Sequence, residues 1–168
     1  MEVKVEARLS KKEMFNFLVR HNYLRFSGIC IIVLGIGALL MLLFNLNNKE
    51  MSQSYKFALL FISLLFIVVE PIMLYTKAGK QVKKNDSVNK PLTYVFSESG
   101  FSISRDEESV EHKYEDVMKV VSTKLSVLIY MSPYTAFIIP KKNIGDNFEN
   151  FKKLITDNVR NARAVTVK

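Results

Sequence analysis

Residues 26–48 read FSGICIIVLGIGALLMLLFNLNN, twenty-three positions without a charge in a chain where 24% of residues are charged. A helix rises about 1.5 Å per residue, so roughly 20 apolar residues cross a hydrocarbon core about 30 Å thick. This stretch is long enough to span a bilayer. A second apolar run, Phe57 to Val69, has thirteen uncharged residues and reaches spanning length when continued through Glu70 and Pro71 to Thr76. The polar connector from Asn45 to Ser54 is short, so the second helix returns antiparallel to the first. The sequence predicts a transmembrane hairpin over 26–76, with spans of about 26–46 and 57–76.

Basic residues near the ends of the spans set the orientation. The first 25 residues carry Lys4, Arg8, Lys11, Lys12, Arg20 and Arg25; Lys77, Lys80, Lys83 and Lys84 follow the second span; the loop has Lys49 and Lys56. Both termini are therefore expected in the cytoplasm. The net charge of +8 suits anionic lipid head groups or nucleic acid. Because the charge brackets the apolar runs, the membrane accounts for it and no nucleic-acid partner is expected. Some twenty-five patterned residues precede the first apolar run, unlike a removable signal peptide, so that run is expected to stay in the mature chain.

Outside the hairpin the periodicity changes. Val3, Val5, Ala7 and Leu9 alternate with polar residues, the signature of a strand with one buried face. Ser10 and Glu13 then fit a capping box, and Met14, Phe17, Leu18 and His21 fall at helical spacing. Beyond Lys90, Leu92-Tyr94-Phe96, Phe101-Ile103 and Val110-His112-Tyr114 alternate between turns; Val117–Thr123, Val127–Met131 and Ala136–Ile139 are rich in β-branched residues. These predict about six antiparallel strands. Asp146 to Glu149 reads as a cap for a final amphipathic helix through Phe148, Phe151, Ile155, Val159 and Ala162. The organisation expected is a strand and amphipathic helix over 1–25, the hairpin over 26–76, a basic linker over 77–90 and a β domain over 91–168.

Six strands closed by one helix resemble the pleckstrin-homology-like fold, whose barrel has a seventh strand; Val3–Leu9 is available to supply it and to cover a sheet edge. The whole arrangement, with Tyr94-Val95-Phe96-Ser97-Glu98-Ser99-Gly100-Phe101, Tyr114-Glu115-Asp116-Val117 and Ile139-Pro140-Lys141-Lys142, looks like the YcxB-like membrane proteins of Gram-positive bacteria. Tyr114 stands where the resemblance leads one to expect tryptophan. The resemblance implies an α+β membrane protein in the bacterial inner membrane: a two-helix hairpin with a small antiparallel pleckstrin-like sheet or barrel, capped by the C-terminal helix. It implies no biochemical activity.

Glu70 is the ionisable residue within the proposed spans, a costly place for a carboxylate. It is a candidate intramembrane polar site, although Arg25 or Lys77 at the interface could anchor it. Lys11, Lys12, Arg20, Arg25, Lys77, Lys80, Lys83 and Lys84 form a candidate lipid-contact collar, each worth on the order of 1 kcal/mol beside an anionic leaflet. Fixing topology explains the same residues. Lys141 and Lys142 are candidate contacts at the domain rim. Gly28, Gly35 and Ala38 share a helix face suited to close contact, more readily within the hairpin than between copies. Cys30 has no partner cysteine, His21 and His112 lie far apart in sequence, and no glycine-rich phosphate loop occurs. No catalytic residue, metal site or cofactor is expected. The function expected is a non-enzymatic membrane protein whose cytoplasmic domain binds a membrane or cytoplasmic protein partner or anionic lipid head groups, with homo-oligomers compatible. The alternative is a small immunity or envelope-stress protein acting through its helices on another membrane protein.

Overall fold

The computed structural model describes residues 2–84, 91–159 and 165–167. The chain divides into two compact units, one made of Met1–Met14 with Lys80–Lys168 and the other of Phe15–Gly79.

In the first unit, strand β1 (Val3–Ala7) pairs antiparallel with β2 (Leu92–Phe96), Val3 opposite Phe96 and Ala7 opposite Leu92. A strand that precedes the apolar segment thus joins one that follows it. Its alternation does what the period-2 pattern requires, burying Val3, Val5 and Ala7 and exposing Lys4 and Glu6. Burying a valine fully is worth about 1.5–3 kcal/mol, so the register is fixed by which face carries the apolar set. Strands β3 (Phe101–Arg105) and β4 (Glu108–His112) extend the first sheet in the order β1-β2-β3-β4. Their hairpin turns tightly at Asp106, whose φ of 52° is a left-handed conformation that aspartate tolerates.

The second sheet has the order β7-β6-β5-β8. It contains β5 (Lys119–Ser122), β6 (Ser126–Tyr130), β7 (Ala136–Pro140) and β8 (Val165–Thr166). The described strands form two open four-stranded sheets, not one closed barrel. Two details differ from the sequence expectation. The segment around Tyr114 is a 3-10 turn, Tyr114–Asp116, and β8 pairs parallel with β5, a two-residue strand too short to leave a pattern. Helices α4 (Lys141–Ile144) and α5 (Phe148–Asn158) complete the unit. Helix α5 ends at Asn158, and Ala162 lies outside the described residues. Phe151, Leu154 and Ile155 join one core with β1, β2, β5, β6 and β7 residues. At its centre the Phe151 ring meets Phe96 edge-on with centroids 4.9 Å apart.

Helix α1 (Lys11–Tyr23) leads to α2 (Phe26–Phe44), and α3 runs over Gln53–Lys84. Helices α2 and α3 are each long and apolar enough to cross a membrane. Pro71 does not end α3. A π-helical stretch, Leu65–Val69, lies immediately before it, and the Glu70 N–H donates to the Leu65 carbonyl. A proline removes a donor and crowds the carbonyl four residues back; the wider turn accommodates that defect within a continuous helix. The expected linker therefore begins as helix to Lys84, while residues 85–90 lie outside the described residues.

Candidate functional site

The buried face of α2 is Gly28, Gly35, Ala38 and Leu42. A Cβ on Gly35 would lie 2.9 Å from the Phe66 Cβ and 3.3 Å from an Ile67 side-chain carbon. The small residues thus let α2 approach the π-helical stretch of α3, the within-hairpin contact. A Cβ on Gly28 would lie 1.9 Å from the Asn22 carbonyl oxygen, so this glycine allows the close turn from α1 into α2. At the connector, the Lys56 Nζ donates to the Leu46 and Asn48 carbonyls at 2.8 and 2.9 Å. A lysine on the first turn of α3 therefore serves carbonyls of the connector that follows α2.

At the other end of the hairpin, part of the expected collar converges. His21 stacks on Phe17 with centroids 5.3 Å apart, and burial together with the charges of Arg25 and Lys77 holds its pKa below the ordinary value. Tyr23 is raised by burial and then by the Glu70 carboxylate. Glu70 Oε2 is buried and has no hydrogen-bond partner among the described residues. Arg25 and Lys77 thus act on His21, and Glu70 on Tyr23, all within the Phe15–Gly79 unit, which also holds Arg20. Lys11, Lys12, Lys80, Lys83 and Lys84 fall in the other unit, on the first turn of α1 and the last turns of α3.

The rim lysines have structural partners. Lys142, on α4, makes a 2.9 Å ion pair with the Glu13 carboxylate, whose side chain is 6% exposed. Ser10 donates its backbone N–H to Glu13 Oε2 at 2.7 Å, the backbone half of the expected capping box, and its hydroxyl bonds the same oxygen. Burial alone would raise the Glu13 pKa; the Ser10 bonds and Lys142 outweigh it and hold the carboxyl below the usual range. Lys141 sits over the Phe148 ring, 5.0 Å from its centroid. Sequence reasoning placed these lysines at a rim but missed the buried carboxylate, because Glu13 was already accounted for as a cap.

Among the described residues, clefts open at two places on the β unit. One of about 390 Å³ lies near the Ser97–Gly100 turn, with Glu2, Ser102, Glu111 and Lys113 in its lining. In that turn Gly100 is required by proximity: a Cβ would lie 2.5 Å from the His112 carbonyl oxygen. Tyr114 fixes the same turn by donating its hydroxyl to the Ser97 carbonyl at 2.8 Å, and burial pushes its pKa up to about 12. The other cleft, of about 270 Å³, is mostly apolar and includes Leu92, Ile103, Val110 and Phe137. No sequence signal marks it, since its residues come from four strands. Among the described residues, no three His, Cys, Asp or Glu side chains group as a metal site would need.

Residues 96–155 match the family model described as YcxB-like protein, a span from the last residue of β2 into α5. The resemblance carried by the Tyr94–Phe101 and Tyr114–Val117 motifs is thus shown for this segment. Searches of curated proteins and of solved structures returned no match.

Proposed function

We propose, on the premise that residues 96–155 form a YcxB-like domain, that the chain is a non-enzymatic integral protein of the bacterial inner membrane. Its cytoplasmic β unit docks a protein partner or anionic lipid head groups beside the bilayer. The observation that carries this proposal is the pairing of β1 with β2 across the apolar hairpin. Two strands in direct register must lie on one side of any membrane the intervening chain crosses, and two crossings return the chain to that side.

Exposure of the helices supports insertion. Val33, Leu34, Ile36 and Leu43 on α2, and Phe57, Phe61, Ile72 and Met73 on α3, are exposed although large and apolar. In water such continuous apolar surface is unfavourable, and in lipid it is the ordinary state. Helix α3 has 32 residues and is about 48 Å long, more than the roughly 30 Å of a hydrocarbon core. Its last turns, with Lys77, Lys80, Lys83 and Lys84, then reach the head groups, and the excess of basic residues at that end supports a cytoplasmic position for it. The two sheets packed around α5 support a pleckstrin-homology-like relationship, with β1 as the seventh strand. Anchoring confines such a module to a thin layer and raises its effective concentration for neighbouring partners.

The test uses the full chain in phosphatidylcholine nanodiscs, offered vesicles with and without phosphatidylglycerol, and in-cell photo-crosslinking from exposed positions such as Glu149. Retention on anionic vesicles or reproducible crosslinks to one protein is expected. Absence of both overturns the proposal.

The unpartnered Glu70 oxygen favours a second reading, in which the helices themselves contact another membrane protein as an immunity or envelope-stress protein would. Crosslinks from α3 that disappear in Glu70→Gln would support it; crosslinks unchanged by that substitution would remove it.

A further inference from the structure

The core-facing side of the first sheet runs out of cover at one end. Tyr94 and Phe96 on β2 share a face with Phe101 and Ile103 on β3 and with Val110 and His112 on β4, because Tyr94 pairs with Ile103 and Ile103 with Val110. Tyr94, Phe96 and Phe101 are buried, yet Val110 is 55% exposed. The apolar cleft of about 270 Å³ lies there, between Ile103, Val110, Leu92 and Phe137, with the Arg105–Glu108 ion pair of 4.0 Å at its lip. It is smaller than the roughly 300–1,000 Å³ typical of small-molecule pockets and suits one or two inserted side chains.

Strand β4 borders this cleft as a sheet edge, pairing with β3 alone among the described residues. Exposed edges offer unmet backbone donors and acceptors and are where extended peptides add. The charge around the edge selects the kind of peptide. Residues 105–116 carry six carboxylates, Asp106, Glu107, Glu108, Glu111, Glu115 and Asp116, against Arg105 and Lys113, in a chain of net charge +8. All six are exposed. An anionic lipid surface is repelled by this edge, whereas a cationic segment is attracted.

We propose that β4 is the docking edge for an extended, basic-and-apolar peptide segment of a protein partner, which adds as a further antiparallel strand. This deepens the proposed docking function and rests on it. The register sets the recognised pattern. A residue opposite Val110 projects onto the cleft side and should be apolar. In the antiparallel sense, the preceding residue lies opposite Glu111 and the residue two positions later lies opposite Glu108. The preferred core is therefore Lys/Arg-apolar-any-Lys/Arg.

The probe is a displayed library of random short peptides selected against the full chain in phosphatidylcholine nanodiscs. Enrichment of the basic-apolar pattern is expected. Binding of a selected peptide should weaken roughly tenfold or more in Val110→Lys, a change that the 55% exposure lets the fold accept. The double variant Glu108→Lys, Glu111→Lys should select acidic peptides instead. On binding, the amides of β4 should become protected from hydrogen exchange. Selection of acidic or patternless peptides, unchanged affinity in both variants, or occupation of β4 by a second copy in sedimentation and crosslinking would each overturn the proposal. Should the wild-type chain instead bind only phosphatidylglycerol vesicles, the β4 proposal fails while the docking function stands; if it binds neither and gives no reproducible crosslinks to one protein, both fall.

Discussion

Replacing Lys142 with methionine keeps most of the side-chain stem and removes the charge that faces Glu13. The Glu13 side chain is 6% exposed and that of Lys142 59%, with 2.9 Å between the charged atoms, so the pair is buried on one side and wet on the other. Breaking a fully buried pair costs about 3–5 kcal/mol, and an exposed pair contributes about 0.2–1 kcal/mol. Ser10 still bonds the carboxylate in the variant, and Lys142 begins half-solvated; a loss of about 1–2 kcal/mol is expected, between those limits. The assay is urea unfolding of the full chain in detergent micelles, followed by far-ultraviolet circular dichroism, with an unchanged slope required for comparison. Acid supplies an internal control. The Glu13 carboxyl is held below its ordinary 4.5, so its contribution is complete above that pH and is lost as pH falls through the folded-state value. The gap between wild type and Lys142→Met should accordingly narrow as acid takes the pH down through the folded-state value and Glu13 becomes neutral in both. Equal stability at neutral pH, or a gap that persists in acid, would refute the assignment of the pair as a structural contact.

Two further outcomes follow from the packing. Gly35→Ala should destabilise the hairpin by about 1–3 kcal/mol, since its Cβ meets the Phe66 Cβ at 2.9 Å, while Gly37→Ala, with nothing within 4 Å, should be neutral or stabilising by up to about 1 kcal/mol; steric-trap unfolding in bicelles compares them. With Cys30 replaced by serine, Lys4→Cys and Val95→Cys should form a disulfide in isolated membranes under mild oxidant. These residues pair directly, and antiparallel partners lie about 4.5–5.5 Å apart at Cα, within disulfide range.

What was legible in the sequence follows from how local each signal is. The apolar runs, the alternation of Val3, Val5 and Ala7, and the spacing of Phe151 and Ile155 are local patterns, and each produced the expected element. Availability of the first strand for the sheet was legible, and its partner, β2, appears only when the fold brings residues 3–7 against 92–96. Pro71 signals in the sequence only a lost helical donor; the π-helical turn before it depends on packing that periodicity does not encode. Lys142 reads as a rim charge because its partner, Glu13, lies far away in sequence and fits a capping box by itself. The β4 edge leaves no local signal, since its apolar cleft is assembled from separate strands.

Impermeant maleimide labelling of single cysteines in a Cys30→Ser background tests the membrane hairpin most directly, at the exposed positions Glu2, Asn48 and Glu149. Asn48→Cys should react in intact cells, and Glu2→Cys and Glu149→Cys only once the membrane is opened. A chain recovered in the soluble fraction, or Glu149→Cys labelled from outside intact cells, would contradict it.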